Sequence, residues 1–136
     1  MGRWLLKTEP SGFSYDDLVK EGKSRWDGVT NNTALLHLRA MKKGDPALIY
    51  HSGKEKRIVG LAEIASDPYA DPRAGNPRFV VVDIVPKRLL AHPVPLDSVR
   101  KLKEMKSFDL VRQTRLSVMP VSEAQWEKIL SMSAGS

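Results

Sequence analysis

The residues of this chain that could do chemistry begin with "WDGVTNN" (26–32), which precedes a helix-like run. The face of an indole can stack on a planar heterocycle, and a carboxamide can both donate to and accept from the edge of a base. Trp26, Asp27 and Asn31 are therefore candidates for the wall and the edge contacts of a pocket. In the structural alternative, Trp26 packs in the core, Asp27 stabilises a turn at Gly28 and Asn31 caps the helix.

Three other polar clusters, "KTEPS", "YHS" and "RLS", each lie at an end of a strand-like run or close to one. Their candidate binding residues are Lys7, Glu9, Ser11, His51, Ser52, Arg115 and Ser117. The ends of several strands can meet at one mouth of a small barrel, where ligand sites commonly form. We therefore expect all four clusters to contribute residues to one pocket.

The spacing within these clusters allows a functional and a structural interpretation. Side chains alternate along a strand, so residues two positions apart face the same side, whereas His51 and Ser52 face opposite sides. Lys7 and Glu9 could therefore both face a cleft, or they could form a surface ion pair. His51 could be a structural histidine, and Arg115 could anchor the last strand instead of binding a phosphate or a base.

The composition excludes several kinds of site. The chain has no cysteine, and its three histidines lack the spacing of metal ligands, so we expect neither a metal site nor a resident cofactor. The glycine-rich nucleotide motifs, the nucleophile elbow and the zinc-protease and deaminase motifs are missing from the sequence. An enzyme with Asp27, Glu9 or His51 as acid or base remains an alternative to a binding module.

The charge and length narrow the class of protein. A formal net charge of +6 makes a polyanion a reasonable partner, although a module for a small ligand or a protein is not excluded. With 136 residues, of which 41% are hydrophobic, the chain suits one domain, 1–136, with a frayed tail at 131–136. No apolar run is long enough for a membrane span, so we expect a soluble, cytoplasmic monomer.

Local signals predict a first strand over residues 4–7 and four helices, of which a short one is expected to begin near Asp97 or Ser98. Ser14 can cap a helix with Asp17 in the reciprocal position of a capping box, and Gly22 provides the stop. A second helix is expected over 33–41, capped by Asn31 or Asn32. The last helix begins with "VSEAQ", in which Ser122 and Gln125 repeat the capping-box pattern.

The middle of the chain predicts a meander of strands, "ALIYHS", "RIVGLAEIAS" and "FVVVDIVPKRL". Small residues on one side of the second strand suit a strongly bent sheet, and apolar residues on both sides of the third suggest that both faces are covered. A closed or nearly closed barrel would explain both features. Residues 110–121 are expected to form a further extended segment, and 67–77 a surface loop whose Tyr69 and Arg73 could cover a bound strand.

Four ordered segments, "WLLKTEPSGFSYDDL", "WDGVTNNTALLHLRAMKKGD", "IYHSGKEKRIVGLAEIASDPYADP" and "RLSVMPV", resemble the EVE domain of the PUA-like superfamily, which is also similar to the YTH readers of methylated RNA. The resemblance spans nearly the whole chain. It implies an α+β fold, a small distorted β-barrel with surrounding short helices.

The resemblance also implies a function. EVE domains are expected to hold one flipped or unpaired modified base, such as a modified cytosine, in DNA or RNA without catalysis, and to accompany restriction or RNA-modification proteins. It favours Trp26 as the wall of that pocket. Many relatives have "WDGVRNYQARN" where this chain has "WDGVTNNTALL", so Thr30 replaces an arginine and Asn32 an aromatic residue. The base preference of those relatives is therefore not transferred to this chain.

Overall fold

The computed structural model describes residues 2–134, which form one curled mixed sheet with short helices packed against it. The strands are β1 (Trp4–Thr8), β2 (Ser24–Trp26), β3 (Pro46–His51), β4 (Arg57–Ile64), β5 (Tyr69–Ala70), β6 (Val80–Pro95) and β7 (Val118–Pro120). The helices are α1 (Tyr15–Glu21), α2 (Asn32–Ala40), α3 (Leu96–Arg100), α4 (Asp109–Arg112) and α5 (Glu123–Ser133), with a 3-10 turn at Lys103–Met105. None of the helices within 2–134 has the length and apolarity needed to cross a bilayer.

The order of strands is β2-β6-β4-β3-β1-β7, and β5 pairs separately with β6. β1 and β3 are parallel, whereas the other neighbours are antiparallel. The two end strands, β2 and β7, do not pair with each other within residues 2–134. The sheet is therefore a half-barrel, which confirms the predicted α+β fold and leaves a seam between its ends.

Irregular pairing bends the central strands. The register shifts once between β3 and β4, at Ile49/Tyr50, and twice between β4 and β6. Such bulges bend a strand and increase its local twist, so the 16-residue β6 can curve around the core. As the sequence predicts, the buried positions of β4 include the small residues Gly60 and Ala62.

Tyr15, the first residue of α1, fastens that helix to the sheet by three contacts. Its backbone N–H donates to His51 Nε2 at 3.0 Å, and its hydroxyl donates to the carbonyl of Leu61 at 2.7 Å. Its ring fills the space above Gly60, where an added Cβ would lie 2.4 Å from Tyr15 Cε2. The glycine is therefore required for this close approach of helix and sheet.

The predicted caps are confirmed. Ser14 and Asp17 form both bonds of a capping box, and Gly22 ends α1 with φ 77°. Ser122 and Gln125 form the second capping box, at the start of α5. Asn31, one of the two alternatives, is the N-cap of α2.

Four segments differ from the sequence-based expectation. Within the expected 67–77 loop, Tyr69 and Ala70 form β5, because they pair with β6. Of the segment 110–121 that was expected to be extended, residues 110–112 belong to α4, and only Val118–Pro120 pair with β1. β2 was not predicted, since three residues carry little periodicity and its strand character comes from pairing with β6. The expected tail is helical as far as Ser133, which is buried, while residues 135 and 136 lie outside the described part of the chain.

We predict that Gly60→Ala destabilises the protein by about 1–3 kcal/mol, because the new methyl group must displace the buried ring of Tyr15. Urea unfolding monitored by circular dichroism measures this change. Gly12→Ala is the matched control, since its Cβ would meet no atom closer than 3.5 Å. Equal midpoints for the two variants would contradict the proposed role of Gly60.

Candidate functional site

A cleft of about 680 Å³ lies at the seam between the two ends of the curled sheet. Residues from β1, from β2 and from the position just before β7 line it, together with the segment that leads into α2. Six predicted site residues meet there: Lys7, Glu9, Trp26, Asp27, Asn31 and Ser117. The volume lies within the usual range for small-ligand sites. The expected convergence of distant segments therefore holds for these six residues.

Trp26 belongs both to the core and to the wall of the cleft. Only 8% of the residue is exposed, and its ring packs edge-to-face on Phe13 with centroids 6.1 Å apart. β2 holds it by pairing Trp26 with Val82. The indole thus packs in the core and also lines the cleft, which opens beside a ring whose other surroundings are packed.

Asn31 also has two roles in the structure: its side chain caps α2, and it lines the cleft. Its Oδ1 accepts from the N–H of Ala34 at 3.0 Å, and this bond leaves the Nδ2 group out of the cap. Asp27 is exposed and lines the same cleft, and Gly28 turns the chain with φ 76°. The lining of the cleft thus includes both a carboxylate acceptor and an amide donor.

Lys7 and Glu9 line the cleft but do not pair with each other. Lys7 Nζ donates to the carbonyl of Thr114 at 3.0 Å and lies 5.7 Å from the ring centroid of Tyr50. Burial lowers the pKa of this ammonium group. Glu9 Oε1 instead accepts from the N–H and the hydroxyl of Ser11, both at 3.1 Å. Ser11 is therefore used in a local turn and does not line the cleft.

His51 and Ser52, which were predicted to contribute to the pocket, lie elsewhere. His51 Nε2 accepts from the N–H of Tyr15, so Nδ1 carries the proton and donates to Glu55 at 2.9 Å. The N–H and the hydroxyl of Ser52 both donate to the carbonyl of Thr8. These side chains fasten α1 and β1 to the end of β3, which keeps them out of the cleft.

Arg115 lies in a second, smaller cleft of about 350 Å³, which shares Asn31 with the first. It was expected to face the same way as Ser117, two positions along a strand. The segment is not extended at this point, because the N–H of Leu116 closes a turn on the carbonyl of Gln113. The two side chains therefore reach different clefts.

Several residues that line the cleft were not predicted from the sequence. Besides those predicted, the lining includes Thr8, Phe13, Glu21, Ser24, Arg25, Gly28, Val29, Thr30 and Arg73. Arg25 precedes Trp26 in the chain. Its place in the cleft could have been predicted only if β2 had been recognised as a strand. Arg73, which was considered as a cover for a bound strand, comes from the 71–79 loop.

A curled half-barrel sheet with short helices around it, and an aromatic-walled polar cleft at its seam, is a PUA-like fold. The EVE domain model matches residues 2–132, and the chain belongs to the EVE domain family. The crystal structure of an ASCH protein from Zymomonas mobilis, at 10% identity and a TM-score of 0.60, shares the fold alone and covers 96% of this chain and 94% of its own.

Closer relatives span nearly the whole chain. Thymocyte nuclear protein 1 of Rattus norvegicus is 33% identical over 95% of this chain and 72% of its own length. The Rpa0253 protein of Rhodopseudomonas palustris is 40% identical, with a TM-score of 0.93, over 98% of this chain and 94% of its own. Human THYN1 in complex with DNA that contains 5-methylcytosine is 30% identical, with a TM-score of 0.89, over 98% of both chains.

The contact between His51 and Glu55 predicts a pH-dependent contribution to stability. The hydrogen bond from His51 is the main cause that lowers the pKa of Glu55 below its usual 4.5. Such a carboxylate contributes stability above its unfolded-state pKa and loses that contribution as the pH falls through the lower folded-state pKa. The contribution should be under about 1 kcal/mol, since the side chain is 35% exposed.

The test compares the free energies of unfolding of the wild type and Glu55→Gln from neutral to acid pH. We expect the wild type to be more stable near neutrality and the difference to shrink as the pH falls below 4.5. A difference that stays constant over this range would show that the charge of Glu55 does not strengthen the contact.

Proposed function

We propose that this protein is a non-catalytic module that binds a modified base in DNA, a modified cytosine in particular, by holding one flipped or unpaired base in the cleft beside Trp26. The observation that carries the proposal is the meeting of an indole wall, a carboxylate acceptor and an amide donor in one cleft. The complex of human THYN1 with DNA that contains 5-methylcytosine supports the choice of ligand.

The cleft residues match the chemistry of a cytosine base. Stacking on an aromatic ring contributes about 1–3 kcal/mol per base, which offsets much of the few kcal/mol that extrusion costs. The exocyclic amine of cytosine is a donor, so the carboxylate of Asp27 can accept from it. Asn31 Nδ2, which the helix cap does not use, can donate to a ring acceptor.

The charge of the protein favours a nucleic acid as the macromolecule. The formal net charge is +6. The cleft is lined by three basic residues, Lys7, Arg25 and Arg73, and by three acidic ones, Glu9, Glu21 and Asp27, so the excess positive charge lies on the rest of the surface. Contacts between such cations and phosphates release counterions, so we expect binding to weaken steeply with salt. DNA is the proposed partner because human THYN1 forms a complex with DNA that contains 5-methylcytosine. If the protein prefers a modified RNA over the matching DNA, this part of the proposal is wrong.

The enzyme alternative has weaker support. Its three candidate groups, Asp27, Glu9 and His51, would have to reach one reacting atom. His51 lies outside the cleft, and both of its ring nitrogens are already bonded. Incubation with modified nucleosides and mass spectrometry distinguish the two functions, because a binding module returns its ligand unchanged. Absence of oligonucleotide binding at low salt would favour a small-ligand or protein-interaction module instead.

We predict that Trp26→Leu abolishes the preference for the modified base. Leucine keeps an apolar side chain in the core but removes the stacking surface, so affinity for a 5-methylcytosine oligonucleotide should fall about 5- to 150-fold, toward that of the unmodified one. Fluorescence anisotropy with matched modified and unmodified DNA and RNA measures this change.

Trp126→Leu is the matched control for the indole. Trp126 packs against the core from α5 and does not line the cleft. Retention of the modification preference by Trp126→Leu and its loss in Trp26→Leu would support the proposal. Equal preference in the wild type and in folded Trp26→Leu would remove Trp26 from the site.

We also predict that Asn31→Asp separates the two roles of this residue. Aspartate caps a helix as well as asparagine does, so stability should be maintained, whereas loss of the amide donor should weaken base binding by about 10-fold. Asn32→Asp adds the same charge one residue further without removing a cleft donor. If both variants weaken binding equally, the added charge is the cause and Asn31 does not contact the base.

A further inference from the structure

Arg25 differs from the other cleft cations because a relay of hydrogen bonds holds its guanidinium group. Arg25 Nε donates to the hydroxyl of Tyr69 at 3.3 Å, and that hydroxyl donates to Asp83 Oδ1 at 2.6 Å. The three residues lie on β2, β5 and β6, and Arg25 is the cross-strand neighbour of Asp83. The orientation of Arg25 is therefore determined by three strands.

The charges around the relay keep it intact at neutral pH. The hydrogen bond to Tyr69 is the main cause that raises the pKa of Arg25, and the carboxylates of Asp71 and Asp83 add attraction. Burial, together with the bond to Asp83, raises the pKa of Tyr69, which keeps its hydroxyl proton available for donation. Arg25 is thus a fixed positive charge at the cleft.

The unused end of the guanidinium is available to a ligand. Nη1 and Nη2 of Arg25 make no hydrogen bond with any residue of 2–134, although Arg25 lines the cleft. Neighbouring residues of a strand face opposite sides of the sheet, so the guanidinium of Arg25 does not share the face that carries the indole of Trp26. A planar guanidinium matches two oxygens of a phosphate, and the phosphate of an inserted nucleotide lies outside the base pocket.

We propose that Arg25, positioned by Tyr69 and Asp83, binds the backbone phosphate next to the inserted base. The proposal rests on the nucleic-acid-binding function above and assigns a separate task within it. Arg73, by contrast, comes from the loop between β5 and β6, and its side chain has no comparable relay in the described part of the chain. The relay spares Arg25 part of the ordering that a free side chain must undergo on binding.

The first test measures how the Kd for a 5-methylcytosine DNA oligonucleotide depends on salt. Arg25→Ala should reduce the slope of log Kd against log salt by about 1. It should also weaken the binding of modified and unmodified DNA by the same factor, because a phosphate contact does not distinguish between bases. Arg88→Ala is the matched control, because Arg88 is exposed on β6 and lines neither cleft. Equal slopes for the two variants would overturn the proposal.

The second test separates positioning from a general structural effect. Tyr69→Phe keeps the charge of Arg25 but breaks the relay, so affinity should fall about 2- to 12-fold while the salt slope is retained. In the Arg25→Ala background the same substitution should cause no further loss. If Tyr69→Phe weakens binding equally in both backgrounds, Tyr69 does not act through Arg25.

Arg25→Lys gives an independent measurement if Tyr69→Phe lowers thermal stability. It should retain the salt slope and lose affinity, because an ammonium group cannot make the forked contact. The possible failures are distinguishable. If the wild type binds no oligonucleotide, the proposed function fails. If binding depends on Trp26 but the slope of Arg25→Ala is unchanged, only the role of Arg25 is wrong.

Discussion

The structure depends on a sheet that curls without closing. Pairing of β2 with β7 would complete a barrel, but within residues 2–134 these end strands stay apart and the cleft occupies the seam between them. The curl itself comes from bulges on β3, β4 and β6 and from the absent side chain at Gly60, where Tyr15 packs α1 on the sheet. The cleft therefore exists because the sheet curls enough to bring β2 and β7 near each other without letting them pair.

Several residues serve the fold and the cleft together. Trp26 packs on Phe13 while it forms part of the wall, Asn31 caps α2 with one end of its amide, and Lys7 is held by the carbonyl of Thr114. Each side chain is thus oriented before any ligand arrives. Preorganisation of this kind lowers the entropy that binding must overcome, which suits the proposed binding of an extruded base.

The sequence predicted most of the local structure and six of the ten candidate binding residues in one cleft. Capping boxes such as Ser14 with Asp17 are local, since both partners lie within one helical turn. Strand ends were less informative. His51 was expected at the pocket because it ends β3, yet the same position also lets it accept the first N–H of α1. Only the packing of the helix decided between these roles.

The sequence by itself determined the elements, the caps and the family resemblance, because these depend on neighbouring residues or on ordered motifs. Only the tertiary structure decided which polar groups share the seam. Arg25 and Tyr69 are 44 positions apart, and Lys7 and Thr114 are 107 apart, so no periodicity connects them. Their meeting depends on the register shifts that curl the sheet, and a bulge depends on pairing between strands rather than on either strand alone.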